Sequence, residues 1–441
     1  MDDPSRFTIS AARAARPDSV GPLTVRVENG VITALDEHES PGADVVVDPA
    51  DVLLPGGVDT HVHLNEPGRT DWEGFATGTA AAAEGGVTTV LDMPLNSIPS
   101  TTTPEALATK RAAAAGKLSV DLGYWGGAVP QNLGHLKELW DEGVFGMKCF
   151  TLPSGVDEFE PLDADQLRTA MTEIASFGGL LIVHAEDGHI IEEAPARHSK
   201  AYSDFLLSRP DEAELTAIKL VIDTMRETGC RVHLLHLSSA RGLELVAAAR
   251  AEGLPLTVET CPHYLCLSAE QIPDGAPEFK CCPPIRDAGN QEEMWQGLTD
   301  GLIDIVVTDH SPSTRARKFA GDGDLQLAWG GIAGVQVGYT AMLDSASKRG
   351  IDLSRVAQWM SQRPAEIMSV PGKGGLMIGH DADLAVWSPR TPMTVDAKAL
   401  LHRNPISAWH GYRSIGSVTD VWLRGTHLEG DEVMGRELFR A

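Results

Sequence analysis

Eight apolar, β-branched runs recur along this chain, and helix-like segments lie between them. The runs occupy residues 58–63, 87–93, 118–124, 144–150, 180–184, 231–237, 256–260 and 303–308. The intervening segments are rich in Ala, Leu, Glu and Lys, as at 72–84, 104–115, 163–176, 211–227 and 240–252. Several runs are apolar almost without interruption, the pattern left by a strand covered on both faces of a parallel sheet. Eight βα units in about 300 residues predict an α/β fold of the (β/α)8 TIM-barrel type, with a doubly wound open sheet as the alternative.

The polar residues that close these runs separate the two. The first run ends on His61 and His63, the fourth contains Lys148, the fifth ends on His184, the sixth contains His236, and the eighth leads into Asp309. In a barrel, C-terminal strand ends converge on one face, so these six side chains meet in one pocket. An open sheet spreads them along an edge.

Two histidines at i and i+2 on a strand point the same way. His61 and His63 therefore supply half of a transition-metal site. Four His and one Asp suit zinc, cobalt, manganese or iron and are too nitrogen-rich for calcium or magnesium. The set is too large for one tetrahedral catalytic ion. Two ions sharing a bridge, spaced about 3.5–4 Å apart and generating a hydroxide at neutral pH, fit the count. Lys148 has two readings. It is a buried lysine paired with a carboxylate, or a neutral amine that has taken up carbon dioxide to form a metal-bridging carbamate. Burial near cations favours the neutral amine.

Composition narrows the partners. The 441 residues carry 62 acidic and 36 basic side chains, a formal charge of 36 − 62 = −26. Nucleic acid and anionic membranes need a basic footprint, so neither is expected as a partner. The first residues, Met1-Asp-Asp-Pro-Ser-Arg6, lack a signal-peptide pattern, and no apolar run approaches membrane-span length. Six cysteines in so long a chain, with no C-x-x-C, do not form a disulfide framework, and a reducing cytoplasm is expected.

The flanks read differently from the centre. Residues 7–54 hold short alternating strands at 23–27, 31–35 and 45–47, and the style returns near Gly374 with strands at 384–387 and 418–423. Neither stub buries a core alone. The expected organisation is one small β-sandwich built from residues 1–54 and 374–441, beside a barrel spanning 55–373.

The ordered set Asp59-Thr-His61-Val-His63, Gly146-Met-Lys148-Cys-Phe150, His184-Ala-Glu186, His236-Leu-Ser-Ser239 and Thr308-Asp309-His310-Ser311 resembles the cyclic-amide branch of the amidohydrolase superfamily, over essentially the whole chain. The segment Ile378-Gly-His-Asp-Ala-Asp-Leu384 also matches that superfamily's return to the sandwich. The resemblance implies that His61 and His63 bind a first ion and His184 and His236 a second. It implies that carboxylated Lys148 bridges them, and that Asp309 binds the first ion and acts as general base. Zinc is the expected metal, with carbon dioxide needed for the carbamate, and the likeness implies a homo-oligomer of two or four chains.

Within that branch the chain is similar to the allantoinase family. The carriers are residues 63–75, 92–97 and 146–150, Glu259-Thr-Cys-Pro-His-Tyr264, Lys280-Cys-Cys-Pro-Pro-Ile-Arg286 and Trp329-Gly-Gly-Ile-Ala-Gly334. The likeness implies a small-molecule substrate, allantoin, opened to allantoate by attack of the metal-bridging hydroxide, with Asp309 moving the proton. Dihydroorotases and hydantoinases are the alternatives. Dihydroorotases carry Arg where Asn65 stands, and Arg is the natural partner of that substrate's carboxylate. Arg69 lies near enough in sequence to reach an anion instead. A metal-free assembly protein is the remaining alternative, and such relatives usually lose ligands.

Asn65, Asn96, His263 and Ser311 are the candidate substrate-binding residues, against turn or structural roles for the asparagines and for His263. Cys281, Cys282, Pro283–Pro284 and Gly330–Gly331 are candidate pocket lining. Glu73 and Glu84 read as solvated helix charge.

Overall fold

The computed structural model of the protein describes residues 6–429 and 432–440. Met1–Ser5, most of the segment tested for a signal peptide, lies outside them, as do 430, 431 and 441, which the sandwich reading included. Parallel strands form two sheets. The first orders Gly57–Val62, Val87–Asp92 and Asp121–Tyr124. The second orders Gly126–Gly127, Met147–Phe150, Leu180–His184, Arg231–Leu234, Leu256–Thr260 and Ile305–Val306. Backbone bonds join them: Phe145 N–H donates to Tyr124 O (3.0 Å), and His63 N–H donates to His310 O (2.8 Å). Nearly all strand residues are buried, as the unbroken apolar runs required.

Each run yields a strand, and several strands are shorter than their runs. The sixth stops at Leu234 and the eighth at Val306 because His236 and Asp309 adopt positive φ, 35° and 43°. That conformation turns the chain out of the ladder and aims both side chains inward. The first helix begins at Phe75 rather than residue 72, because Gly74 (φ 128°) interrupts the turn before it. Other boundaries follow capping chemistry. Thr103 accepts from the Ala106 N–H ahead of Pro104, Asp163 caps Ala164–Ser176, and left-handed Gly229 (φ 68°) ends Asp211–Thr228.

The chain ends meet in one eight-stranded sheet. Its centre is Arg6–Ala15, a strand the sequence pattern did not mark because its alanines carry little β signal. Val20–Glu28 pairs with it antiparallel, and Val52–Pro55 lies parallel on its other side. Leu384–Ser388 then adds antiparallel to Val52–Pro55, and Ser417–Leu423 follows. Ile9, Val25, Ile32, Leu384 and Trp422 fill the core beneath. The last residues leave this sheet: Leu122 N–H donates to Arg436 O (2.9 Å) and Leu438 N–H to Leu122 O (2.7 Å), so the tail runs along the strand Asp121–Tyr124. Among the described residues no helix is long and apolar enough to cross a membrane, and all six cysteines are free.

A buried charge cluster ties the sheet to the parallel strands. Lys373 Nζ donates to Asp121 (2.6 Å) and lies 2.8 Å from both Asp381 and Asp383, with Arg424 and Arg436 also on Asp121. The three carboxylates raise the lysine's pKa against the opposing effect of burial. Removing the cation leaves Asp383 buried without its counter-charge, so Lys373→Met is expected to cost about 3–5 kcal/mol. Denaturant unfolding, read as a lowered midpoint at unchanged slope, checks this.

Candidate active site

The parallel strands deliver their C-terminal ends to one cavity of about 260 Å³. His61 comes from Gly57–Val62 and His63 follows it, Lys148 sits in Met147–Phe150, and His184 closes Leu180–His184. His236 and Asp309 stand on the two left-handed turns beyond their strands. All six line the cavity. His61 Nε2 is 3.2 Å from Asp309 Oδ1 and 3.5 Å from Lys148 Nζ, and His63 Nε2 is 3.7 Å from Asp309 Oδ1. The His184 and His236 rings meet edge to face at 4.5 Å, and Phe150 stacks on His184 at 4.7 Å.

Burial sets the protonation of the cluster. It drives His61, His63 and His236 well below their ordinary values, with the Lys148 charge adding to the effect in each. His184 is lowered by burial too, opposed by Glu186. The four imidazoles are therefore neutral near pH 7, the form that ligates a metal. Burial also lowers the Lys148 ammonium and raises the Asp309 carboxyl, each opposed by the other's charge.

Buried carboxylates hold the rings. Glu259 bonds His61 Nδ1 (2.5 Å) and His233 Nε2 (3.0 Å) and accepts the His236 N–H (3.2 Å). Glu186 bonds His184 Nε2 (2.9 Å) and Arg209 (2.6 Å). Asp59 accepts from the Thr308 hydroxyl (2.5 Å) and from the His61 N–H (3.1 Å). Such partners fix the tautomer and aim the remaining nitrogen, an arrangement characteristic of metal-ligating histidines. Two observations test the fit of a metal to this set. His236 Nδ1 is buried with no hydrogen-bond partner among the described residues. Ligand atoms of His61, His236 and Asp309 all lie within 4.8 Å of one another. A divalent ion satisfies both.

The substrate candidates divide. Asn96 and Ser311 line the cavity, and Ser311 donates to Asp309 Oδ1 at 2.6 Å. Asn65 and His263 are buried and do not line it. Asn65, at φ 61°, accepts from Asn96 Nδ2 (2.9 Å) and so stands behind the residue that faces the space. Arg69 does not line the cavity: it donates to Asn96 O (2.6 Å) and pairs with Glu158. Cys282, Gly330 and Gly331 line the space, whereas Cys281 and the two prolines do not.

Glu73 is a correction. It is fully buried rather than solvated, because the Gly74 break turns it inward onto His310 Nε2 (3.3 Å) and the Arg403 N–H (3.1 Å). Glu84 is exposed as expected. The sequence reading missed Arg209, Lys280 and Trp329 as lining residues. Arg209 sits in a connection after the fifth strand, and no strand-end signal marks it.

Comparison with known proteins agrees with this geometry. The sequence pattern of the Amidohydrolase family matches residues 52–428. The chain is 52% identical to an allantoinase of Streptomyces avermitilis over 98% of each chain. It is 40% identical to an allantoinase of Arabidopsis thaliana, covering 96% of this chain and 88% of that one. Among solved structures, it superposes on an L-hydantoinase (dihydropyrimidinase) from Arthrobacter aurescens with a TM-score of 0.91 at 29% identity, covering 98% of this chain and all of the other. A dihydropyrimidinase from Brevibacillus agri gives 0.89 at 26% identity over 99% of each. The chain belongs to the amidohydrolase family.

Proposed function

We propose that the protein is an allantoinase, opening the cyclic amide of allantoin to allantoate at a binuclear metal site. The observation that carries the reading is the cluster of four neutral imidazoles, a lysine and a carboxylate in one cavity, within a chain matched end to end by the Streptomyces allantoinase.

A closed (β/α)8 barrel would be the architecture that carries this site, and the backbone bonds that join the two parallel sheets support that reading. A sandwich assembled from 1–54 and 374–441 would flank a barrel of 55–373. His61 and His63 would hold one ion, His184 and His236 the other, with Lys148, as its carbamate, shared between them and Asp309 on the first. Zinc suits this donor set. The ions, when bound, polarise the ring carbonyl and make water nucleophilic at neutral pH.

The protein's own groups handle orientation and the proton. Asp309 takes the proton of the attacking water and delivers it to the departing ring nitrogen, a poor leaving group until protonated. The new carbon–oxygen bond and the broken carbon–nitrogen bond leave a carboxylate and a free ureido nitrogen. Ser311 holds Asp309 Oδ1 in place. Asn96, fixed by Asn65, presents its amide to the ring. A cytoplasmic location fits the six free thiols. A homo-oligomer of two or four chains completes the proposal, and light scattering on the purified protein measures it.

One observation favours a second reading. The solved structures of high similarity include a hydantoinase and a dihydropyrimidinase. The cavity also contains a guanidinium, Arg209, so Asn65 alone does not exclude an anionic ring such as dihydroorotate. Glu186 pairs with that cation.

Three outcomes are expected. Side-by-side assays give faster turnover of allantoin than of hydantoin or dihydroorotate, and preference for either of the others reassigns the ring. Dialysis against a chelator abolishes turnover, and elemental analysis of the active protein finds two divalent ions per chain. Asp309→Asn retains metal and loses roughly 100- to 10,000-fold in kcat, and a near-normal rate removes the base assignment.

A further inference from the structure

Two buried lysines, one lining the cavity and one behind it, make no ion pair among the described residues. Lys318 is 3% exposed, and among the described residues its ammonium makes no ion pair. It donates instead to three carbonyls, Lys280 O (3.2 Å), Trp329 O (2.9 Å) and Gly331 O. Lys280 Nζ reaches Ala328 O (2.6 Å) and Gln326 O (3.2 Å) and lies 5.3 Å above the Phe205 ring. Burial pushes the Lys318 pKa down to about 7, so an unpaired charge there is costly, and its carbonyl contacts are what offset that cost.

Those groups are cavity wall. Lys280, Cys282, Trp329, Gly330 and Gly331 line the same space as the metal-ligand set. Lys318 itself does not line it. The segments meet tightly: Gly331 N–H donates to Lys280 O (2.8 Å), and a Cβ at Gly331 would lie 2.3 Å from Ser311 O. No hydrophobic contact can replace three carbonyl partners converging on one point, and without the ammonium their oxygens repel one another.

We infer that Lys318 is a positioning residue for substrate: its ammonium ties the 280–282 and 329–331 segments together and sets the width of the substrate cavity without touching substrate or metal. The inference rests on the proposed ring hydrolysis in this cavity. It accounts for a buried, unpaired lysine that the chemistry does not use.

The test is Lys318→Met in the full-length, metal-loaded protein, with allantoin as substrate. KM is expected to rise about tenfold or more with kcat changed far less, the pattern of lost ground-state positioning. Metal content by elemental analysis is expected to stay at the wild-type value. An unchanged KM, or a fall in metal content that accounts for the loss, overturns the inference. Lys318→Gln keeps two donors and is expected to show a smaller KM rise, and it serves if the methionine variant does not accumulate. In the wild type without substrate, the Gly331 amide is expected to exchange slowly with deuterium, and rapid exchange there overturns the inference independently of any variant. Wild-type protein that does not turn over allantoin overturns the functional reading instead, and leaves the exchange measurement to judge the wall.

Discussion

Glu259 joins parts of the chain that are far apart in sequence, and the site depends on it. Its carboxylate bonds His61, 198 residues away, at 2.5 Å, while its other oxygen takes His233. It also accepts the backbone N–H of His236 at the left-handed turn. Burial pushes its carboxyl up to about 8, opposed by that N–H and by the Lys148 charge. A carboxylate held there without these partners would lose its hydration with nothing in return. With them, it orients one ring and one turn from two different strands, and both belong to the ligand cluster.

The same arrangement recurs with different residues. Glu186 holds His184 against Arg209, and Asp59 links the first strand to Thr308 just before Asp309. His61 and His184 are each backed by a carboxylate that faces away from the cavity. The imidazoles stay neutral because burial outweighs these anions. The 280–282 and 329–331 segments are held by lysines, Lys280 and Lys318 gathering carbonyls. The cavity is thus fixed by acids behind two of its imidazoles and by amino groups behind its loops. Hydrogen-bonded networks of this kind are strong only when every member is satisfied.

Much of this was legible in the chain. The alternation of apolar runs and helices gave eight strands in order, because both-face burial leaves an unbroken apolar signature. The six ligand candidates were legible because each lies at or near the C-terminal end of a run. Arg6–Ala15 was not, since an alanine-rich strand at the centre of a sheet gains its β character from neighbours rather than from its own side chains. Glu73 was misread because solvation was inferred from charge and position on a helix, while the helix begins two residues later. Asn65 and Asn96 looked equivalent in sequence, and only packing put one behind the other. Arg209, Lys280 and Lys318 carry no periodic signal, as they act through loop carbonyls and a single carboxylate.

By itself the sequence determined the parallel strand–helix order, the residue types of the candidate ligand set and the coming together of the two chain ends. These follow from local periodicity and from residue type, which need no partner to be read. Tertiary structure alone decided which buried groups face the cavity and which stand behind it. That distinction depends on hydrogen bonds between residues up to hundreds of positions apart and on two backbone turns with positive φ, and neither is encoded in a local pattern.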